Sequence, residues 1–189
     1  SLELGCLHWI LARHSSITGG DAIAFWSEMR PPDRQLITMI NYRAVDRKGC
    51  RRPSSGPPLV IHARSACATR GVVRLGTWRF PCALGRSGRR TGKREGDGAT
   101  PFGKFALREV LYRADRDLPP RTGLPTRLIR RHDGWCDEPA DRNYNRLVRH
   151  PYPASAEHLM REDALYDLVV VLGCNDRPRL RGRGSAIFI

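Results

Sequence analysis

Cysteine and histidine are the side chains best suited to chemistry near neutral pH, and this sequence has six of each. The cysteines are Cys6, Cys50, Cys67, Cys82, Cys136 and Cys174, widely spaced and without a CxxC pair. A structural zinc site usually shows its ligands in close pairs. His132 and Cys136 are close in sequence, but no second pair follows, so no metal site is expected. Cys174 is the one candidate nucleophile. It follows an apolar run, precedes Asn175-Asp176, and could meet His158 in space, since a Cys/His pair need not be adjacent in sequence. Such a thiol reacts only with a depressed pKa and a base in reach. Nothing in the sequence arranges His158, and a free cysteine at a strand end commonly packs as a small buried hydrophobe. Cys174 is therefore a weak candidate, set against an inert thiol.

The second chemically suggestive stretch runs from Gly85 to Leu107, GRSGRRTGKREGDGATPFGKFAL. It is basic and glycine-rich, then turns acidic at Glu95 and Asp97. Thr100-Pro101-Phe102-Gly103 reads as a turn between extended segments, because Pro101 fixes φ and lacks an N–H. Glu95 and Asp97 either line a polar cleft or offset Arg86, Arg89, Arg90, Lys93 and Arg94 in a solvated loop. Trp135 and Tyr144 either shape a binding site or pack a loop poor in apolar residues. Ser185 has a binding reading and a turn reading.

The elements that would position these groups are mostly short β-runs. Leu59–Arg64, Gly71–Leu75, Thr77–Leu84 and Gly103–Tyr112 alternate or cluster apolar residues between turn signals, as in an antiparallel sheet. Leu128–Arg130 is short and extended. His132 to Tyr152 reads as a loop with turns at Asp133-Gly134 and Glu138-Pro139. Ser155–Arg161 reads as one helical turn with Ser155 as N-cap. Leu165 to Leu172 carries the strongest buried-strand signal, since Leu168-Val169-Val170-Val171-Leu172 is continuous, short and β-branched. Gly182-Arg183-Gly184-Ser185 then turns into a last apolar run, Ala186-Ile187-Phe188-Ile189.

With 189 residues the chain can bury one ordinary core. An apolar fraction of 40% with 28% charged fits a globular domain, and no run approaches the roughly 20 apolar residues of a membrane span. The net charge of +14 attracts anions without choosing among them. Residues 1–55 look unlike the rest and are expected to be an extension outside the domain, little in contact with it. Asp21–Met29 could be a short helix ended by Pro31-Pro32, and Leu36–Tyr42 a strand or helix. Residues 51–58 are a linker by composition. No signal peptide is recognisable at the start. The domain proper is expected over residues 56–189, and its last strand, without a polar tail, is expected to make it C-terminally incomplete.

From Leu59 to Ile189 the sequence resembles the L,D-transpeptidase catalytic domain of the YkuD type. The matching pieces are Phe80–Gly88, Lys93–Gly103, Asp133–Asp137, Tyr144-Asn145, Leu165–Asp167 and Gly184–Phe188, agreeing in order and spacing. The resemblance implies a mainly β fold, a β-sandwich with short helices and long loops. It implies acyl transfer on peptidoglycan stem peptides: a cysteine thiolate attacks the amide before a D-Ala, D-Ala leaves, and an amine resolves the thioester. The resemblance calls for no metal or organic cofactor and implies a periplasmic or cell-envelope location. Tyr144, Asn145, Asn175, Gly184 and Ser185 are its candidate substrate-binding residues. A monomer is expected.

The sequence departs from the family at the nucleophile. The family signature is a His at the end of the strand corresponding to Ile187-Phe188, then a Ser/Thr-x-Gly-Cys segment. No histidine follows His158 here, and the sequence stops at Ile189. The family's catalytic pair is thus carried over to no position, and an inactive fragment is expected. A basic nucleic-acid-binding module is the alternative, on the strength of the charge and the Arg86–Arg94 loop. Against it, no helix-turn-helix or zinc finger occurs, and aromatics are only 7% of residues, few for base stacking.

Overall fold

The computed structural model describes residues 58–189, and the expectations for residues 1–57 lie outside them. The described chain is mainly β, as the sequence patterns and the resemblance implied. The first three strands, β1 (Leu59–His62), β2 (Arg70–Leu75) and β3 (Trp78–Ala83), form an antiparallel meander. Leu75 pairs with Trp78, leaving a two-residue turn in which Gly76 takes φ +57°, a conformation cheap only for glycine. One face of this sheet carries Val73 and Cys82, buried with Leu84 against Leu59 and Ile61.

The Gly85–Leu107 stretch is more ordered than a solvated loop. β4 (Arg89–Arg90) and β5 (Thr100–Pro101) pair in parallel. The expected turn at Pro101 is instead a strand position. The flanking amides of Thr100 and Phe102 bond Gly88 O and Arg90 O, both at 2.8 Å, so the ladder needs no N–H from Pro101. Gly88 has φ +71°, and a Cβ there would come within 2.1 Å of the Ala66 carbonyl oxygen.

β6 (Leu107–Tyr112) is flanked by β7 (Thr126–Leu128) in parallel and β11 (Leu168–Leu172) antiparallel. On its other edge β11 meets the chain's last residues. Val170 and Ile189 exchange backbone bonds of 2.7 and 3.0 Å, and Leu172 N reaches Ile187 O at 3.1 Å. Val169, Val170 and Val171 are all buried. Each contributes about 1.5–3 kcal/mol of transfer free energy, more than the roughly 1 kcal/mol net of a hydrogen bond, so burial anchors this strand. The strand starts later than its pattern suggests. Ala164–Tyr166 is a 3-10 turn capped by Asp163, and the buried Asp167 carboxylate accepts from Arg116 at 2.9 Å.

The third sheet has β8 (Asp133–Cys136) between β9 (Leu147–Arg149) and β10 (Ala156–His158). Two expectations are corrected here. The stretch His132–Tyr152 contains two strands rather than one long loop. Ser155–Arg161 is no helical turn, because residues 156–158 pair with 134–136. The main core lies between this sheet and the β11–β6–β7 sheet. It joins Leu111, Trp135, Leu159, Tyr166, Val169, Val171 and Phe188. Trp135 and Tyr166 both meet Phe188 edge-on, at 5.1 and 5.9 Å between centroids. Val110, Leu124 and Val170 fill the opposite side of the same β11–β6 pair, so those strands are covered on both faces.

Candidate functional site

Asn145 lies where β8, the loop after β11 and the last strand converge. Its Oδ1 accepts from Trp135 Nε1 at 2.9 Å and from the Ala186 amide at 3.2 Å. Its Nδ2 donates to the carbonyls of Cys174 at 3.1 Å and Asn175 at 2.8 Å. The side chain is buried, and all its bonding capacity is met inside the protein. Its backbone is left-handed, φ +56°, a region that asparagine tolerates better than most residues. Ala186, with φ +49°, has no such tolerance, and its amide is held by Asn145.

Asn175 does a parallel job one step on. It too is left-handed, φ +50°. Its Nδ2 donates to Leu180 O and Gly184 O, both at 2.9 Å, and its Oδ1 accepts from Leu180 N at 2.7 Å. One asparagine side chain thus closes the loop from residue 175 to 184. Gly184 is buried at φ +95°, and a Cβ there would come within 2.8 Å of the Lys93 side chain.

Glu95 reaches into this assembly. Its carboxylate accepts from the Tyr144 hydroxyl and, at 2.8 Å, from Ser185 Oγ. The Gly184 amide in turn donates to the Tyr144 oxygen at 3.0 Å, and Glu95 N bonds Gly182 O at 2.9 Å. Burial, then the Glu95 carboxylate, pushes the Tyr144 phenol above its ordinary value of 10, so it remains a donor. Lys93 is buried and ion-paired with Asp97. Burial alone would raise the Asp97 pKa. The hydrogen bonds from Lys93 and from the Ala99 and Arg94 amides outweigh it and hold the carboxyl below its usual 3.8. The solvated-loop reading of Glu95 and Asp97 is therefore corrected. Both are tied in, one to Tyr144 and Ser185, the other to Lys93.

The five sequence candidates Tyr144, Asn145, Asn175, Gly184 and Ser185 thus form one hydrogen-bonded unit. Glu95 and Trp135 belong to it as well. The candidate nucleophile is not part of it. Cys174 is buried against Ile187, Phe105 and Leu172, and burial pushes its thiol up to about 11. His158 lies on β10 and stacks on His150 at 3.6 Å between ring centroids, with no bond to Cys174. Cys82 is likewise pushed up to about 11 by burial, and Cys136 is buried and raised. All four described cysteines are free thiols. Among the described residues no group of three or more His, Cys, Asp or Glu could hold a metal ion. The arrangement can shape and stiffen a groove wall, but it presents no thiolate with a base in reach.

No helix among the described residues is long and apolar enough to cross a membrane. No curated protein and no solved structure matches the chain. The model of the L,D-transpeptidase catalytic domain family, YkuD, matches residues 60–189, which span β1 through the last residue and include every member of the Asn145 unit. The chain therefore belongs to the L,D-transpeptidase catalytic domain family.

Proposed function

We propose that the domain forms the scaffold and part of the stem-peptide groove of a peptidoglycan L,D-transpeptidase, working in the periplasm or cell envelope. The observation that carries this reading is the convergence on Asn145. Residues from three matched segments, Trp135, Asn145 and Ala186, share one carbonyl oxygen. Tyr144, Asn145, Gly184 and Ser185 have their polar groups engaged internally, so their part is to fix the groove wall. The loop closed by Asn175 then presents its outer surface to the peptide.

The reaction is acyl transfer through a cysteine thioester. It requires a thiolate, a histidine base and donors for the tetrahedral oxyanion. Ser1–Ile189 by itself is proposed to bind without turning over. The support is the state of Cys174: buried, raised to about 11, and with no histidine bonded to it among the described residues. At neutral pH a thiol with that pKa is about 1 part in 10,000 thiolate, and burial limits access as well.

Carbapenems acylate the cysteine of this family, so intact-mass spectrometry after carbapenem incubation tests this reading. Cys174 should remain unmodified while the protein is folded. An adduct mapped to Cys174 that forms on the folded chain and is prevented by His158→Ala would overturn it.

A further inference from the structure

On the outer side of the Asn145 backbone lies a groove of about 380 Å³. Arg142, Arg146, Arg179 and Arg181 line it, together with Asp141 and Asp176. Asp176 is paired with a cation that does not line the groove, and Asp141 is held by neutral donors while its charge acts on Arg142. Asp176 accepts from Arg108 Nε at 2.7 Å. Asp141 accepts from the Asn143 amide at 2.6 Å and the Tyr152 hydroxyl at 2.8 Å. Four guanidiniums against these two carboxylates leave the groove with an excess of positive charge. Arg179 Nε donates to the Asn145 carbonyl at 3.0 Å, which fixes its head group in place without supplying a negative charge. Arg142, Arg146 and Arg181 are exposed and have no hydrogen bond or ion pair with any described residue.

That excess repels itself, and an anion in the cavity relieves the repulsion. Consistent with this crowding, burial first and then the Arg146 charge hold Arg179 below the usual guanidinium value, with Asp176 pulling the other way. A guanidinium presents a planar fork that fits a carboxylate bidentately. The groove is concave rather than an extended stripe, and its one aromatic, Tyr144, is buried with its hydroxyl on Glu95. That favours a short ligand with several close carboxylates over a nucleic acid strand, which needs stacking faces along its length.

We propose that the groove between residues 141–146 and 176–181 binds the free carboxylates of an acidic peptide. This inference rests on the stem-peptide reading above and names the charged handle by which the domain takes hold of that peptide. Asn145 links the two, since its side chain organises the wall and its carbonyl fixes Arg179.

The test is isothermal titration calorimetry at low ionic strength with three probes. They are a stem tetrapeptide with free carboxylates, the same peptide amidated at every carboxylate, and a single-stranded DNA oligonucleotide. The proteins are the wild-type chain, Arg142→Glu/Arg181→Glu and Arg142→Lys/Arg181→Lys, each checked by far-UV circular dichroism. The free peptide should bind the wild type. Amidation and charge reversal should each weaken binding about tenfold, while the lysine variant keeps most of it. The amidated peptide should not sense the reversal. Equal binding of both peptides by the wild type, unchanged on reversal, overturns the groove assignment and leaves the stem-peptide reading standing. Failure of both peptides to bind the wild type overturns that reading and the groove assignment together. An oligonucleotide that binds more tightly than the peptide, and is lost on reversal, overturns the acidic-peptide assignment in favour of phosphodiesters.

Discussion

Replacing Asn145 by alanine removes four hydrogen bonds at once, to Trp135, Ala186, Cys174 and Asn175. Each contributes about 1 kcal/mol net, and a buried group left without a partner costs about 1–3 kcal/mol. Alanine also tolerates φ +56° less well than asparagine, a smaller addition, since both residues carry a Cβ. Water entry and a shift of the loop after β11 recover part of this. The net loss should be about 3–5 kcal/mol, a large share of the roughly 5–15 kcal/mol by which a domain is stable. Urea unfolding followed by far-UV circular dichroism measures it. Asn143→Ala is the control, because half-buried Asn143 Nδ2 meets only the Tyr152 hydroxyl, at 2.8 Å. It should cost less than about 1 kcal/mol. Asn145→Asp sharpens the test. It keeps both accepted bonds but faces two carbonyl oxygens with a carboxylate, so burial and repulsion raise its folded pKa. A carboxyl whose pKa is raised on folding gains stability as pH falls, so the cost of Asn145→Asp relative to wild type should be smaller near pH 5 than near pH 8. If Asn145→Ala costs no more than Asn143→Ala, Asn145 is not the hub described here.

Stability should also fall as pH drops below about 6.5, because the folded state holds His150 below its ordinary value of 6.5. The causes are burial first, then the charge of stacked His158, then His132, with the Glu157 backbone pulling the other way. An unfolded histidine binds its proton more readily, so acid favours unfolding, and His150→Gln should flatten the urea midpoint between about pH 5 and pH 8. Gly88→Ala combines φ +71° with a clash against the Ala66 carbonyl, and should lower stability by about 2 kcal/mol or more in the same assay. Glu95→Ala leaves the Tyr144 and Ser185 hydroxyls without their acceptor. It should cost about 1–3 kcal/mol, with Glu95→Gln recovering part of the loss.

Strands with a strong local pattern were legible in the sequence, and strands made by tertiary contacts were not. Leu168–Leu172 announces itself because both its faces are covered, which demands an unbroken apolar run. β8 is also buried throughout, but one of its four positions is Asp133, and Asp-Gly reads locally as a turn. That carboxylate is tolerated because Arg127 meets it at 3.0 Å and the Arg130 amide at 2.9 Å, neither visible in a local pattern. Ala156–His158 suggested a helical turn because Ser155 resembles an N-cap; pairing with residues 134–136 overrides that preference. The candidate site residues were proposed through the resemblance, but their hydrogen-bond partner Glu95 was read as loop charge. It lies 49 residues from Tyr144 and 90 from Ser185, so no spacing rule connects them. The arginine groove is composed the same way, from two segments about 35 residues apart that the sequence shows only as general positive charge.

The claim that the Asn145 unit backs a stem-peptide groove is tested most directly by amide-resolved NMR of the folded 189-residue chain titrated with a stem tetrapeptide. Saturable shifts should appear at Asn175, Gly184 and Ser185 and at the amides of residues 176–181 other than Pro178, with the meander of residues 59–83 unmoved, and Asn145→Ala should abolish them. Saturable shifts confined to the meander, or no shifts at any peptide concentration, would contradict the account.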